Sequence, residues 1–357
     1  MTNMEMKSPG WVKNKIALVF IIVAVFSLGF EAYAIAVVHL EGGADLPENI
    51  GNFERIRNCL EQQNPKEKFS FAVVGDTTAS RSFRELCDKL RDEPLSFMVI
   101  LGDFVRTCTK DNHGYFRSEC ANRYRLPFPV LLVVGNRDVA YDEMHYDINK
   151  VSPAEFERMY GKLNFTFEYN GCLFIGLCIL PPPYSTKGSI EFLESTLAAR
   201  HDKNQRVFIF MHMLPIITDD SMTDHFENAQ ALIDIVNRYK VDYVISSHHY
   251  DYAKSKRGET IYLMTGEGGA PLNGKETFGD FHHAVVFTID RESVSEKAVL
   301  AKSGIDIPGA FKHFAITDLY PLLRKHPASA IVENLLVISL LCLFFIQYNV
   351  ILRSGKT

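Results

Sequence analysis

The sequence predicts an α/β protein built on parallel sheet, and three observations predict it. Short unbroken apolar runs recur at Phe71 to Val74, Phe97 to Leu101, Val130 to Val134, Val207 to Met211 and Tyr243 to Ser246, which is how strands buried on both faces read. Segments of helical period alternate with strand patterns, at Ser80 to Leu90, Ser152 to Tyr160, Ser189 to Arg200 and His225 to Tyr239. Each apolar run also closes on a polar phrase: Gly75-Asp76, Gly102-Asp103, Gly135-Asn136-Arg137-Asp138, His212, and Ser247-His248-His249-Tyr250. Ligands of open α/β sheets bind beyond the carboxyl ends of the strands. A set of Asp, Asp, Asn, His and His delivered there suits Mn, Fe, Zn or Ni better than a thiolate-seeking metal.

In chain order, a basic start with Lys7, Lys13 and Lys15 leads into an apolar stretch from Ile16 to Leu40 broken only by Glu31. It is long enough to span a bilayer. The same residues, ending in Ala32-Tyr33-Ala34, also describe a cleavable signal peptide, so anchor and leader both stay open. In either case residues 1–15 remain cytoplasmic and the central domain is exported to the periplasm, the cell exterior or an organelle lumen. Residues 41–68 form a connector with one amphipathic helix at Asn52 to Glu61. From 69 to 301 strands and helices alternate. Ser152-Pro153-Ala154-Glu155 carries the residues of a helix start, with Ser to cap, Pro at the first helical position and Glu at the third. Strands at Asn164 to Tyr169 and Cys172 to Ile179 pair through the Asn170-Gly171 turn, and two more run at Thr260 to Met264 and His283 to Asp290. Residues 302–327 lose periodicity and gain Gly304, Pro308 and Pro321, which reads as a tether. A second membrane helix follows at 331–352, with Arg353 and Lys356 in a tail that returns to the cytoplasm.

A net charge of −5 over 357 residues, with no basic block, excludes nucleic acid as the expected partner. Cys59, Cys87, Cys108, Cys120, Cys172 and Cys178 lie in the exported part, an even set that permits disulfides. Cys108 and Cys120 bracket one expected loop and are the favoured pair, whereas Cys172 and Cys178 read as core thiols. The chain has no CxxC spacing, which argues against a structural zinc.

The five strand-end phrases, in this order and context, resemble the calcineurin-like metallophosphoesterase superfamily from Phe69 to about Asp290. Phe156 to Gly161 followed by Phe165 to Tyr169, and the Tyr262 to Leu272 strand and glycine-rich loop, are similar to that family's later segments. The resemblance implies a four-layer αββα sandwich with two metals at the strand ends. It implies that Asp103, Asn136, His212 and His248 hold one of them. The ligands it implies for the other are Asp76, the shared Asp103 and two histidines, but Thr78 and Tyr250 stand at the histidine positions. Arg137 stands where the family has its acid histidine. Arg is always protonated and stabilises phosphate charge without donating a proton.

Asp103 and Arg137 are therefore the expected catalytic residues, and Asp76, Asp103, Asn136, His212 and His248 the expected metal ligands. Thr78, His249 and Tyr250 are the candidate substitutes at the second ion. His249 points away from His248 on a regular strand and reaches the site only if the loop turns it inward. His282 and His283 read as packing or cleft residues, His113 and His145 as solvated loop residues, and Arg106 as a solvated side chain. The expected function is hydrolysis of a phosphomonoester or phosphodiester by metal-activated water. The alternative is a pseudoenzyme that binds metal or phosphate at the membrane. Specificity is expected in loops such as Cys108 to Tyr124 and Pro181 to Lys187.

Overall fold

The computed structural model describes residues 10–41, 43–64, 66–142, 147–215, 226–249, 252–266, 268–269, 281–302 and 306–354. Tyr250, His145 and most of the late glycine-rich loop lie outside the described residues. Two compact units are present, one of residues 44–309 and one formed by 1–43 with 310–357.

In the larger unit the strands are β1 (Phe69–Val74), β2 (Leu95–Ile100), β3 (Val130–Leu132), β4 (Phe165–Tyr169), β5 (Cys172–Gly176), β6 (Arg206–Phe210), β7 (Tyr243–Ser246), β8 (Tyr252–Arg257), β9 (Thr260–Thr265), β10 (His282–Ile289) and β11 (Val294–Ala301). They form a five-stranded sheet in the order β11-β10-β1-β2-β3 and a six-stranded sheet in the order β4-β5-β6-β7-β9-β8. β1, β2 and β3 are parallel, as are β5, β6, β7 and β9, so the carboxyl ends that carry the polar phrases gather at one edge of each sheet. Sequence reading found every strand except β8 and β11. Those two are amphipathic edge strands, half exposed, with Lys254, Lys256 and Arg257 on one and Glu296 and Lys297 on the other. Charged edges of this kind lack the apolar run that marks a buried strand and protect a sheet from stray pairing.

The two sheets pack through a phenylalanine-rich core. Phe71 on β1 stacks between Phe97 on β2 and Phe287 on β10, with centroids 5.0 and 4.9 Å away, and meets Phe174 and Phe208 of the other sheet edge-on at 5.4 Å. Offset-stacked and edge-to-face pairs each add about 1 kcal/mol to what area burial supplies. This interlayer contact is what fixes the spacing of the two sets of strand ends.

The helices of this unit are, in order, Phe53–Glu61, Arg81–Leu90, Lys110–Glu119, Pro153–Tyr160, Lys187–Arg200 and Ala229–Arg238. Leu193 and Leu197 of the fifth and Leu232, Ile235 and Val236 of the sixth cover the outer face of the six-stranded sheet. The second supplies buried Phe83, Leu86, Cys87 and Leu90 to its own inner face. Two sheets flanked by helices give the four-layer αββα arrangement. The Ser152 capping box forms as expected, with the Ser152 hydroxyl accepting from the Glu155 N–H and the Glu155 carboxylate accepting from the Ser152 N–H.

The structure corrects several expectations. Residues 108–124 are not a loop. Thr109 caps the helix Lys110–Glu119, which runs on into a π-helical turn at Cys120–Tyr124. That helix separates Cys108 from Cys120 by roughly 15 Å along its axis, beyond disulfide reach, and every cysteine is a free thiol. The sequence misled because Gly114 and the polar positions blur the helical period, although its buried face contains Tyr115 and Phe116. Residues expected as an aperiodic tether fold into helices at Ile307–Phe314 and Tyr320–Lys325.

In the smaller unit, Gly10–Glu41 and Pro327–Ser354 are helices, and each contains a span long and apolar enough to cross a membrane. Glu31, inside the first span, accepts a hydrogen bond from the Asn334 side chain of the second at 2.6 Å. Lys312 pairs with Glu41, and Phe30 stacks on Phe314.

Candidate metal centre

The strand ends reach the site through strained turns. Asp76, Thr78, Ala79, Asp103 and His248 all have positive φ, between 45° and 72°, a conformation that costs non-glycine residues about 1 kcal/mol or more and clusters at functional sites. Gly102, with φ +93°, and Gly135 allow the close approach. A Cβ on Gly135 would lie 2.3 Å from Asp103 Oδ1, and one on Gly102 would lie 2.7 Å from His212 Nδ1.

Asp76, Asp103 and His212 are buried, and their ligating atoms lie within 4.8 Å of one another. The Asn136 Oδ1 is 2.9 Å from His212 Nε2, His248 Nδ1 is 3.1 Å from it, and Asp103 Oδ1 is 3.5 Å from it. The five expected ligands are therefore brought together. His212 Nδ1 lies 2.9 Å from the Leu101 carbonyl oxygen. A carbonyl only accepts, so Nδ1 carries the hydrogen and Nε2 presents its lone pair to the cluster.

Burial pushes the His212 pKa down to about 3 and keeps the ring neutral. Burial, opposed by the N–H and the charge of Arg137, raises Asp103 to about 6. Burial and the neighbouring Asp103 carboxylate also raise Asp76 well above its ordinary value. Asp76 Oδ2 accepts the His248 N–H at 2.9 Å, while Oδ1 is buried with no hydrogen-bond partner. A buried carboxylate oxygen without a donor, beside a second carboxylate and an imidazole lone pair, is an arrangement that a cation satisfies. The donor set of carboxylate, amide oxygen and imidazole fits a transition metal.

The second position is different. The Thr78 hydroxyl donates to the Gly269 carbonyl at 3.4 Å, and its N–H donates to the Asp103 carbonyl at 3.0 Å. His249 follows the left-handed turn at His248, with its ring 5.0 Å from that of His248, so the loop does turn the two rings to the same side. Arg137 donates its backbone N–H to Asp103 Oδ1 at 2.8 Å and sets Nε 3.4 Å from Asp103 Oδ2.

Three supporting residues escaped the sequence reading. Asp138 is fully buried and accepts the N–H groups of Asp103 and Gly135 at 2.8 Å on Oδ2 and that of Val105 at 3.2 Å on Oδ1. It thereby straps the second strand-end turn to the third. Ser247 donates to the Leu101 carbonyl at 2.6 Å and lies 2.9 Å from His212 Nδ1. His113 is a correction. It sits on a helix, wholly buried, donating from Nε2 to the Asp138 carbonyl at 2.9 Å and accepting the Tyr160 hydroxyl at 2.8 Å. Burial lowers its pKa to about 4. The only signal for Asp138 and Ser247 was their place inside the strand-end phrases. His283 packs, bonding the Thr265 hydroxyl at 2.8 Å, and Arg106 is exposed as expected.

A family model for calcineurin-like phosphoesterases matches residues 69–252, more than half of the chain. No curated protein matches the sequence. Among solved structures, the Plasmodium protein GAP50, described as the anchor in the inner membrane complex, is 15% identical with a TM-score of 0.51, covering 71% of this chain and 96% of that one. A dimetal phosphatase from Danio rerio is 12% identical with a TM-score of 0.50, covering 65% and 96%. A purple acid phosphatase from yellow lupin (Lupinus luteus) seeds is 15% identical with a TM-score of 0.52, covering 68% and 53%. At these identities the likeness shows the fold.

Proposed function

The chain belongs to the calcineurin-like phosphoesterase family, and from that membership and the geometry of its strand ends we propose that it hydrolyses a phosphomonoester or phosphodiester with a bound transition metal. Asp76, Asp103, Asn136, His212 and His248 hold the ion, which is Mn, Fe, Zn or Ni. The observation that carries this reading is the buried Asp76 Oδ1, which has no hydrogen-bond partner, in a carboxylate that clusters with Asp103 and His212. When bound, such an ion polarises a phosphoryl oxygen and acidifies water. Asp103 holds the Arg137 guanidinium at the mouth of the cluster, where its fixed charge stabilises the transferring phosphoryl group. Leu101 and Ser247 hold the His212 ring in the tautomer that ligates. The terminal helices anchor the chain in a membrane, with the central domain on the exported side.

Hydrolysis of p-nitrophenyl phosphate and bis-p-nitrophenyl phosphate by the Mn-loaded full chain in detergent tests this. His212→Ala lowers the rate by about 100-fold or more, and full retention of activity contradicts the assignment. The Arg137–Asp103 pair favours a second reading, a metal- or phosphate-binding module at the membrane without turnover. The description of GAP50 as an anchor agrees with such a role. Metal binding with no hydrolysis of either ester by the wild-type chain selects it.

A further inference from the structure

We propose that the pocket between the helices Lys110–Glu119 and Pro153–Tyr160 is a second ligand site, apart from the metal cluster, that takes a phosphate-class dianion. The pocket has a volume of about 250 Å³ and is lined by Lys110, Arg117, Glu155, Arg158 and Met159. None of the five expected metal ligands borders it. Three cations meet one carboxylate there, and that carboxylate is committed elsewhere. Glu155 accepts the Ser152 N–H at 3.0 Å and pairs with Lys110 at 3.0 Å, and these two partners hold its carboxyl down to about 2. Among the described residues no carboxylate lies within ion-pairing distance of Arg117 or Arg158. Two guanidiniums that share a concave site without a counter-charge repel each other, and an anion placed between them removes that repulsion.

Arg117 is half-buried, and a chain of buried hydrogen bonds sets its place. The Tyr160 hydroxyl gives its hydrogen to His113 Nδ1 at 2.8 Å, and His113 Nε2 gives its own to the Asp138 carbonyl at 2.9 Å. With its hydrogen spent, the Tyr160 oxygen accepts, and Arg117 is the donor beside it. Burial raises the Tyr160 pKa well above its ordinary value, and the charge and hydrogen bond of Arg117 oppose that rise. Tyr160 is 3% exposed and His113 fully buried, so the guanidinium rests on a fixed base and keeps further N–H donors for the pocket it lines. Arg158 comes from the other helix, one turn beyond Glu155, and Lys110 lies two turns before Arg117. The donors thus converge from two helices. A carboxylate monoanion satisfies one guanidinium, whereas the tetrahedral oxygens and double charge of phosphate meet both.

Calorimetric titration of the metal-free full chain in detergent with inorganic phosphate tests this. The wild type is expected to bind phosphate, Arg117→Gln and Arg158→Gln each to weaken it by about tenfold or more, and Arg137→Gln, at the metal cluster, to leave it unchanged. Arg158 is exposed and takes no part in the bonds that fix Tyr160, so its variant folds and keeps the wild-type rate of Mn-dependent hydrolysis. Glycerol 3-phosphate as a second titrant separates two sources of the same chemistry: binding at least as tight as that of phosphate assigns the pocket to a phosphomonoester, and weaker binding assigns it to the free ion. No phosphate binding by the metal-free wild type, or loss of binding in Arg137→Gln alone, overturns the inference. Equal binding by Arg158→Gln marks an adventitious ion only and overturns it too. The metal-dependent reading stands or falls separately, on hydrolysis by the Mn-loaded chain.

Discussion

Replacing Asp138 by alanine removes the one carboxylate that takes three buried backbone N–H groups, those of Asp103 and Gly135 at 2.8 Å and Val105 at 3.2 Å. Each buried donor left without an acceptor costs about 1–3 kcal/mol. Three together, with partial relaxation, amount to roughly 3–6 kcal/mol. In a domain of this size each kcal/mol lowers Tm by about 2–4 °C, so Asp138→Ala is expected to melt roughly 10 °C or more below wild type. Asp138→Asn keeps the volume and one oxygen, retaining the bonds to Asp103 and Gly135 while its amide group faces the Val105 N–H. It is expected to lose about 1–2 kcal/mol. Both variants let the turns that carry Asp103 and Asn136 shift, and Mn affinity is expected to fall about 10–100-fold. Thermal denaturation of the metal-free chain and Mn titration read the two effects separately. An alanine variant that melts within about 2 °C of wild type and binds Mn equally well refutes the strap.

Metal removal has a pH signature. Asp103 is raised in the folded state to about 6 from an ordinary value of 3.8, so the folded metal-free chain binds this proton more tightly than the unfolded chain. Its contribution is present below the unfolded value and is lost as pH rises through about 6, a change of about 3 kcal/mol. Denaturation of the metal-free chain across this window is expected to show stability falling with pH, and added Mn to abolish the fall. A rise in the metal-free chain contradicts the assignment. Gly135→Ala drives a Cβ to 2.3 Å from Asp103 Oδ1 and is expected to weaken Mn by about 100-fold, measured by the same titration. Phe71→Ala, in the interlayer core, is expected to cost about 3–5 kcal/mol, read by chemical denaturation.

Much of this arrangement is written locally in the chain. Val74, Ile100, Val207 to Phe210 and Ile245 belong to apolar runs whose length and termination depend on neighbours in sequence, so the strands and the residues past their ends are legible. Asp76, Asp103, Asn136, His212 and His248 were read from that context, and the structure brings them together. What stayed hidden depends on contacts between distant segments. Two of the three acceptor bonds of Asp138, from Asp103 and Val105, join turns 33 to 35 residues apart, and Ser247 meets Leu101 across two sheets. His113 looked solvated because its neighbours are polar, yet the helix carries it beneath the third turn. β8 and β11 were missed because an edge strand needs no apolar run, and the helices at 307–325 because Pro308, Gly309 and Pro321 interrupt the period that sequence reading relies on.

The most direct measurement is anomalous diffraction from crystals of the Mn-loaded chain at the manganese edge. The account predicts a peak among Asp76 Oδ1, Asp103 Oδ1, Asn136 Oδ1, His212 Nε2 and His248 Nδ1. No peak at that position, or manganese bound only elsewhere on the chain, contradicts it.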